Sequence, residues 1–198
     1  MIEIFTQLTA KPGQLKDQYE LRKRFCIDYL KWTDRTVVSG MEYDQYDHPA
    51  TVYFLWRDNG GVARSMLRAT QCDLPYMIKD IWPDLVTDVP LPSQYDQWEI
   101  TRVCVEQEIG HEMVSRSLGE LMFALEIFAQ RIKIKEYWWM SPKERIEVLV
   151  PHNHTYAGKG KQVGYEFCFA GWSEATNLVV PKHRLAFETS PVEIEDAA

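Results

Sequence analysis

Paired cysteines are missing from this chain. Cys26, Cys72, Cys104 and Cys168 stand far apart with no C-x-x-C among them, which excludes a zinc ribbon and a dense disulfide framework and fits free thiols in a reducing compartment. An excess of positive charge is missing too. A formal net charge of -7 is the wrong sign for a general nucleic-acid binder, which must displace counterions with lysine and arginine. No apolar run approaches the roughly 20 residues needed to span a bilayer, and the start Met-Ile-Glu-Ile-Phe lacks the basic and apolar segments of a secretory signal. The expected location is therefore cytoplasmic, with no membrane span. Local catalytic signatures are absent as well. No G-x-S-x-G occurs, and Gly158-Lys159-Gly160-Lys161 has neither the spacing nor the Ser/Thr of a P-loop. His152 and His154 offer two ligands on one loop without a third nearby, so no metal site is expected.

What remains is a chain of 198 residues, 45% hydrophobic and 26% charged, enough for one domain with a substantial core and a small acidic tail, fraying from about residue 190. Its most unusual stretch is Met41-Glu42-Tyr43-Asp44-Gln45-Tyr46-Asp47, directly after Ser39-Gly40. It is too acidic for a core and too aromatic for a solvated charge run. It also fails the calcium-loop template, because its glycine precedes the carboxylates and no bidentate Glu closes it. Arg22, Arg64 and Arg102 are the scattered cations that can pair with it.

The surrounding pattern is mixed. Residues 2–8 alternate as a strand, and Gln14 to about Trp32 reads as a helix whose inward face carries Leu15, Tyr19, Arg22, Cys26 and Leu30. Arg22 on that face must either snorkel or meet a carboxylate. Thr51–Trp56 reads as a buried strand, Asp58-Asn59-Gly60-Gly61 as a hairpin turn, and Val62–Leu67 as the returning strand carrying Arg64. A short helix fits Leu74–Trp82, and the proline-rich residues 88–93 read as a loop. Gln97–Val105 is strand-like, with Trp98, Ile100, Arg102 and Cys104 on one side and Glu99, Thr101, Val103 and Val105 on the other. His111–Arg131 is an amphipathic helix with the stripe Val114, Leu118, Leu121, Leu125 and Phe128. Ile134–Met140 is a strand containing Tyr137-Trp138-Trp139. Ser141, Pro142 and Glu144 predict a capping box for a helix reaching Leu149. Residues 151–164 read as a loop, and Tyr165–Ala170 and Asn177–Val180 as the last strands. Without strict β-α alternation, the expected fold is α/β, a mixed twisted central sheet flanked by helices in one domain, 1–198.

An ordered set of short motifs then stands out. Arg22 is followed ten positions later by Trp32. Then come Glu42-Tyr-Asp44-Gln-Tyr-Asp47, Gly61-Val-Ala-Arg64, Pro75-Tyr-Met77 and Trp98-Glu99-Ile-Thr-Arg102. Across about the first 105 residues this order resembles the LuxI-type acyl-homoserine-lactone synthases (autoinducer synthases). The resemblance implies a fold related to the GCN5-type N-acetyltransferases, with a cleft where the sheet splays. It also implies a two-part reaction with S-adenosylmethionine as substrate and no further cofactor. The α-amine attacks the thioester of an acyl carrier protein or an acyl-coenzyme A, and lactone closure then expels 5′-methylthioadenosine.

On that footing Glu99 is the candidate base, with Asp44, Arg64 and Arg102 in the catalytic set and Tyr53 as a second candidate for proton removal. Arg22, Trp32, Glu42 and Asp47 are candidate substrate-binding residues, joined by Trp82, Thr101, Trp138 and Trp139 around the acyl group. Cys26 and Trp82 stand where the family usually has Phe, and Thr101 replaces a frequent Ser. With Trp138-Trp139 these departures imply a short, branched or aromatic acyl group. Lys133, Lys135, Lys143, Arg145, Lys159 and Lys161 are the cations that an acidic carrier protein can meet, or are ordinary surface residues. Two rivals remain, a related N-acyltransferase that makes no lactone and a non-catalytic binder that keeps the fold. One tension is explicit: Glu99 and Arg102 face opposite ways on an ideal strand, so a shared site requires a bulge.

Overall fold

The computed structural model describes residues 1–33, 35–151, 153–176, 178 and 192–194. In chain order the elements are β1 (Ile2–Phe5), α1 (Gln14–Arg22), a π-helical run (Lys23–Tyr29), β2 (Thr36–Val38), β3 (Met41–Tyr43), β4 (Val52–Arg57), β5 (Ala63–Gln71), α2 (Met77–Ile81), β6 (Gln97–Val105), α3 (His111–Ile132), β7 (Glu136–Pro142), α4 (Lys143–Leu149), β8 (Thr155–Tyr156), β9 (Lys161–Val163), β10 (Glu166–Glu174) and β11 (Val192–Ile194). Single 3-10 turns follow α2, at Pro83–Leu85, and β6, at Gln107–Ile109.

The main sheet runs β11-β1-β4-β5-β6-β7-β10-β8, with β9 also on β10, and β2 and β3 form a separate hairpin. The β6–β7 and β1–β11 pairs are parallel and the others antiparallel. The sheet is thus mixed, as expected. The β6–β7 pair is short. It joins Gln97–Ile100 to Glu136–Trp139 and goes no further, although both strands continue. Beyond Ile100 the two strands no longer pair with each other. One sheet face is covered by α3, where Leu121, Leu125 and Phe128 pack on Phe54, Leu67 and Trp98. The opposite face of β1, β4, β5 and β6 is covered by α1 and the π-helical run.

Several expectations change. The helix from Gln14 gives way to i→i+5 pairing, with Leu30 N–H donating to Phe25 O at 2.9 Å. The wider turn puts Leu30 off the inward face, while Trp32 returns to it and packs against the α1-side cluster. β5 runs on to Gln71 because Arg68 and Thr70 alternate inward with Met66. The capping box does not form: Ser141 and Pro142 are the end of β7, paired with Phe169 and Cys168, and α4 starts at Lys143 with no side-chain cap. The expected loop 151–164 contains β8 and β9. Within the tail from residue 190, expected to fray, residues 192–194 pair with β1. The rest of that tail, His152, and all of Asn177–Val180 except Leu178 lie outside the described residues. Among the described residues no helix is long and apolar enough to cross a membrane.

Candidate active site

The acidic stretch and three arginines meet between the α1 side of the sheet and the β2–β3 hairpin. From α1, Arg22 is fully buried. Its Nε donates to Glu42 Oε2 at 2.6 Å, and its Nη1 and Nη2 fork onto Asp47 at 2.7 and 2.9 Å. From β6, Arg102 Nη2 bridges Glu42 Oε1 at 2.9 Å and Asp44 Oδ2 at 2.6 Å. From β5, Arg68 Nη1 donates to Asp44 Oδ1 at 2.6 Å and to Asp47 Oδ1 at 3.2 Å, and its Nε donates to Thr101 Oγ1 at 2.9 Å. Three cations and three anions therefore balance inside one network, which leaves no buried charge uncompensated and offsets the cost of taking them out of water. Burial works against the charge on Asp47 and Asp44. It is outweighed at Asp47 by Arg22 and Arg68, and at Asp44 by Arg68 and Arg102, so both carboxyls sit below the usual range. The same pairing holds Arg22 and Arg102 above their ordinary value despite burial.

The sequence motifs mark Arg64 and pass over Arg68. The structure exchanges them. Arg64 lies at the hairpin irregularity where Trp56 faces Ser65 but Arg57 faces Ala63, and its Nε binds Asp58 Oδ2 of the turn at 2.9 Å. A strand expected to end at Leu67 leaves out Arg68, which β5 includes. The period-two run Met66, Arg68, Thr70 was the available signal.

The tension at Glu99 and Arg102 resolves as a bulge. Met66 faces Cys104 while Arg68 faces Thr101, so β6 carries one residue more than β5 between these pairs. Arg102 takes the left-handed backbone at φ 53°, unusual for a residue with a side chain. The extra residue reverses the alternation. Val103 joins Trp98 and Ile100 against the α3 cluster, while Arg102 and Cys104 turn to the side of Glu99 and Thr101. Cys26 meets Cys104 there, with sulfurs 3.7 Å apart. Trp32 lies with its ring 5.6 Å from the Arg102 guanidinium.

Glu99 is enclosed at 1% exposure. Its oxygens accept the backbone N–H groups of Met77 (2.9 Å) and Ile78 (2.7 Å) at the start of α2. Burial pushes its carboxyl up to about 7, against the lowering effect of those two N–H groups and of Arg68. It lies opposite Trp138 in the last paired stretch before β6 and β7 part. Tyr53 donates its hydroxyl to Asp47 Oδ1 at 2.9 Å, and burial, with Asp47 beside it, pushes its ionisation far up. It stands as a proton donor to the network rather than an acceptor.

The pair Trp138-Trp139 divides between the faces. Trp138 packs with Cys72, Tyr76, Ile78 and Leu85 on Glu99's side, with Trp82 against the same cluster. Trp139 belongs to the α3 core, with its Nε1 donating to Ser173 Oγ at 3.1 Å. Of the three acidic-stretch carboxylates, Glu42 and Asp47 are closed in, whereas Asp44 is 12% exposed and lines a cleft of about 300 Å³ with Arg35, Thr36, Tyr43 and Gln45. Among the described residues no group of three or more His, Cys, Asp or Glu is placed to hold a metal ion.

Residues 7–138 match the family model described as autoinducer synthase. An acyl-homoserine-lactone synthase of Aeromonas hydrophila is 32% identical over 90 residues, which cover 46% of this chain and 42% of that protein. The match thus spans less than half the length of that relative. In three dimensions the chain is similar to BjaI, a CoA-dependent acyl-homoserine lactone synthase solved with SAM and isopentyl-CoA (TM-score 0.81, 20% identity, 98% of this chain and 93% of that one). It is also similar to the AHL synthase LasI (TM-score 0.79, 20% identity, 99% and 98%). These likenesses are of fold, and a putative N-acetyltransferase from Lactobacillus plantarum shares it (TM-score 0.57, 14% identity, 88% of this chain and 98% of that one), in line with the acetyltransferase-like fold that the sequence resemblance implied. With the model match covering the acidic stretch, Arg22, Arg68, Glu99 and Arg102, the chain belongs to the autoinducer synthase family.

Proposed function

We propose that this protein joins the α-amine of S-adenosylmethionine to an acyl group taken from a thioester and closes the product to an N-acyl-homoserine lactone, releasing 5′-methylthioadenosine. The observation that carries the reading is Glu99. A carboxylate raised to about 7, held beside the point where β6 and β7 cease to pair, suits removal of a proton from an ammonium group at neutral pH. Asp44, the partly exposed carboxylate of the network, lines the cleft and gives the cationic substrate an opposite charge. The arginines fix the carboxylates rather than the substrate. Amine and thioester held side by side lose the cost of a bimolecular encounter. Closure needs little more than conformation, because the sulfonium is a good leaving group.

The donor reading is acyl-coenzyme A. Four of the six cations considered for a carrier-protein surface have acidic partners: Lys135 with Asp96, Lys143 with Glu147, Arg145 with Glu166 and Lys161 with Asp84. Such pairing leaves little positive potential for an acidic protein to find. BjaI is similarly described as CoA-dependent. The acyl group is read as short, branched or aromatic. Trp138, Tyr76, Ile78 and Leu85 already fill the space beside Glu99.

Incubation with S-adenosylmethionine and a panel of acyl thioesters, followed by mass spectrometry, tests all of this. Methylthioadenosine and an acyl-homoserine lactone are the expected products. Acylated amine without methylthioadenosine would establish the related N-acyltransferase instead, and a product profile dominated by long straight chains would refute the acyl assignment.

A further inference from the structure

Met77 touches both halves of the site. Its backbone N–H holds Glu99 at 2.9 Å, and its thioether lies 3.4 Å from Arg68 Nη2 and 3.6 Å from Arg102 Nη1. The residue is 4% exposed. Arg68 has five N–H groups to place. Thr101 takes Nε, Asp44 and Asp47 take Nη1, and Asp44 takes one of Nη2, which leaves the sulfur for the last. A thioether is a weak, neutral acceptor. It can occupy a guanidinium N–H without competing with the carboxylates.

We propose that Met77 is a positioning residue: by occupying the N–H groups of Arg68 and Arg102 that reach α2, its sulfur keeps both guanidiniums turned onto the acidic stretch and Arg68 off Glu99. This rests on reading Glu99 as the proton acceptor. The charged and titratable groups around Glu99 are Arg68 of β5, Asp44 and Tyr46 of the acidic stretch, Cys72 after β5 and Tyr76 before α2. Arg68 is the cation in that set. A guanidinium forked onto Glu99 would hold it ionised but leave it a feebler base.

Met77→Leu keeps the apolar bulk and removes the acceptor, whereas Met77→Gln restores an acceptor at similar reach. The readout is the titration of the Glu99 carboxyl, followed by NMR of 13Cδ-glutamate-labelled protein with the signal assigned by its loss in Glu99→Gln. Met77→Leu is expected to lower the midpoint by about 0.5 unit or more, to move the acidic limb of the rate profile with it, and to be reversed by Met77→Gln. A residue that only packs gives the opposite order, with Leu harmless and Gln damaging. An unchanged Glu99 midpoint in folded Met77→Leu overturns the proposal. If that variant does not fold, norleucine placed at 77 removes the sulfur with little change of shape, and the same midpoint decides. If Glu99→Gln retains full activity, the base assignment fails separately, because the NMR midpoint does not depend on turnover.

Discussion

At the residue scale, Arg64 and Arg68 lie four positions apart in one strand and have opposite surroundings. Arg64 is about a third exposed and pairs with a turn carboxylate, an arrangement worth about 0–1 kcal/mol. Arg68 is fully enclosed and holds Asp44 and Asp47. Removing it leaves three carboxylates facing only the two guanidiniums of Arg22 and Arg102, one buried negative charge in excess, at a cost of about 3–5 kcal/mol. Urea unfolding should therefore show Arg64→Ala close to the parent and Arg68→Ala severely weakened, and equal losses would contradict the exchange of roles. Glu99 carries the second residue-scale expectation. As a base it must be ionised, so kcat/KM should rise with pH through about 7. Stability moves the other way. Because burial raises the folded-state value above the ordinary 4.5, the folded protein binds this proton more tightly than the unfolded chain, and the stabilisation present at low pH is lost as pH rises toward 7. The melting temperature of Glu99→Gln, relative to the parent, should improve from pH 5 to about pH 7 and level off above it. A difference independent of pH would show that Glu99 titrates normally.

At the scale of elements, β6 shows what a pattern can and cannot convey. Its limits, Gln97–Val105, follow from composition alone. Its two faces do not, since period two is broken at Arg102 by a bulge that no neighbouring glycine or proline announces. The same limit applies to β5. A strand is easily ended where charge begins, yet Arg68 continues it because its partners come from a distant loop, and only tertiary pairing makes an inward arginine affordable. The π-helical run is equally silent in the sequence, though Arg22 and Trp32 could be chosen without it because the motif order carried them. β7 keeps strict alternation, and that yields a third prediction. Trp139→Ala opens the α3 core and should cost about 3–5 kcal/mol without changing the acyl profile. Trp138→Ala, on Glu99's face, should shift the products toward longer acyl groups, read by mass spectrometry of the lactones. A change of profile in Trp139→Ala alone would place the acyl group on the other side of the sheet.

For the whole molecule, charge supports the proposed choice of donor. An acyl carrier protein is acidic, and this chain carries a formal net charge of -7. Approach from any direction other than a basic patch is therefore repulsive, and four of the six cations that would build such a patch are occupied by Asp96, Glu147, Glu166 and Asp84. Those pairs are largely surface pairs, so salt weakens them as well as the long-range repulsion, and the repulsion, acting over more than a Debye length of about 10 Å at 0.1 M, is screened more completely. The two donors thus differ in how their rates respond to ionic strength. A docking interface made of free lysines loses kcat/KM steeply as salt rises, because its on-rate depends on steering. With its cations paired, this protein should show kcat/KM for acyl-carrier-protein substrates that is low at low salt and flat or rising as salt is added. Acyl-coenzyme A is an anion too, through its phosphates, but carries far fewer charges, so its kcat/KM should be the higher of the two at low salt and change less as salt is added. A steep fall with salt for the carrier-protein donor, together with a higher plateau than the coenzyme A donor reaches, would mean that the pairs at Lys135, Lys143, Arg145 and Lys161 open to receive it. Reversing Lys143 and Arg145 to Glu separates the cases further, since it abolishes turnover only if the carrier protein docks there.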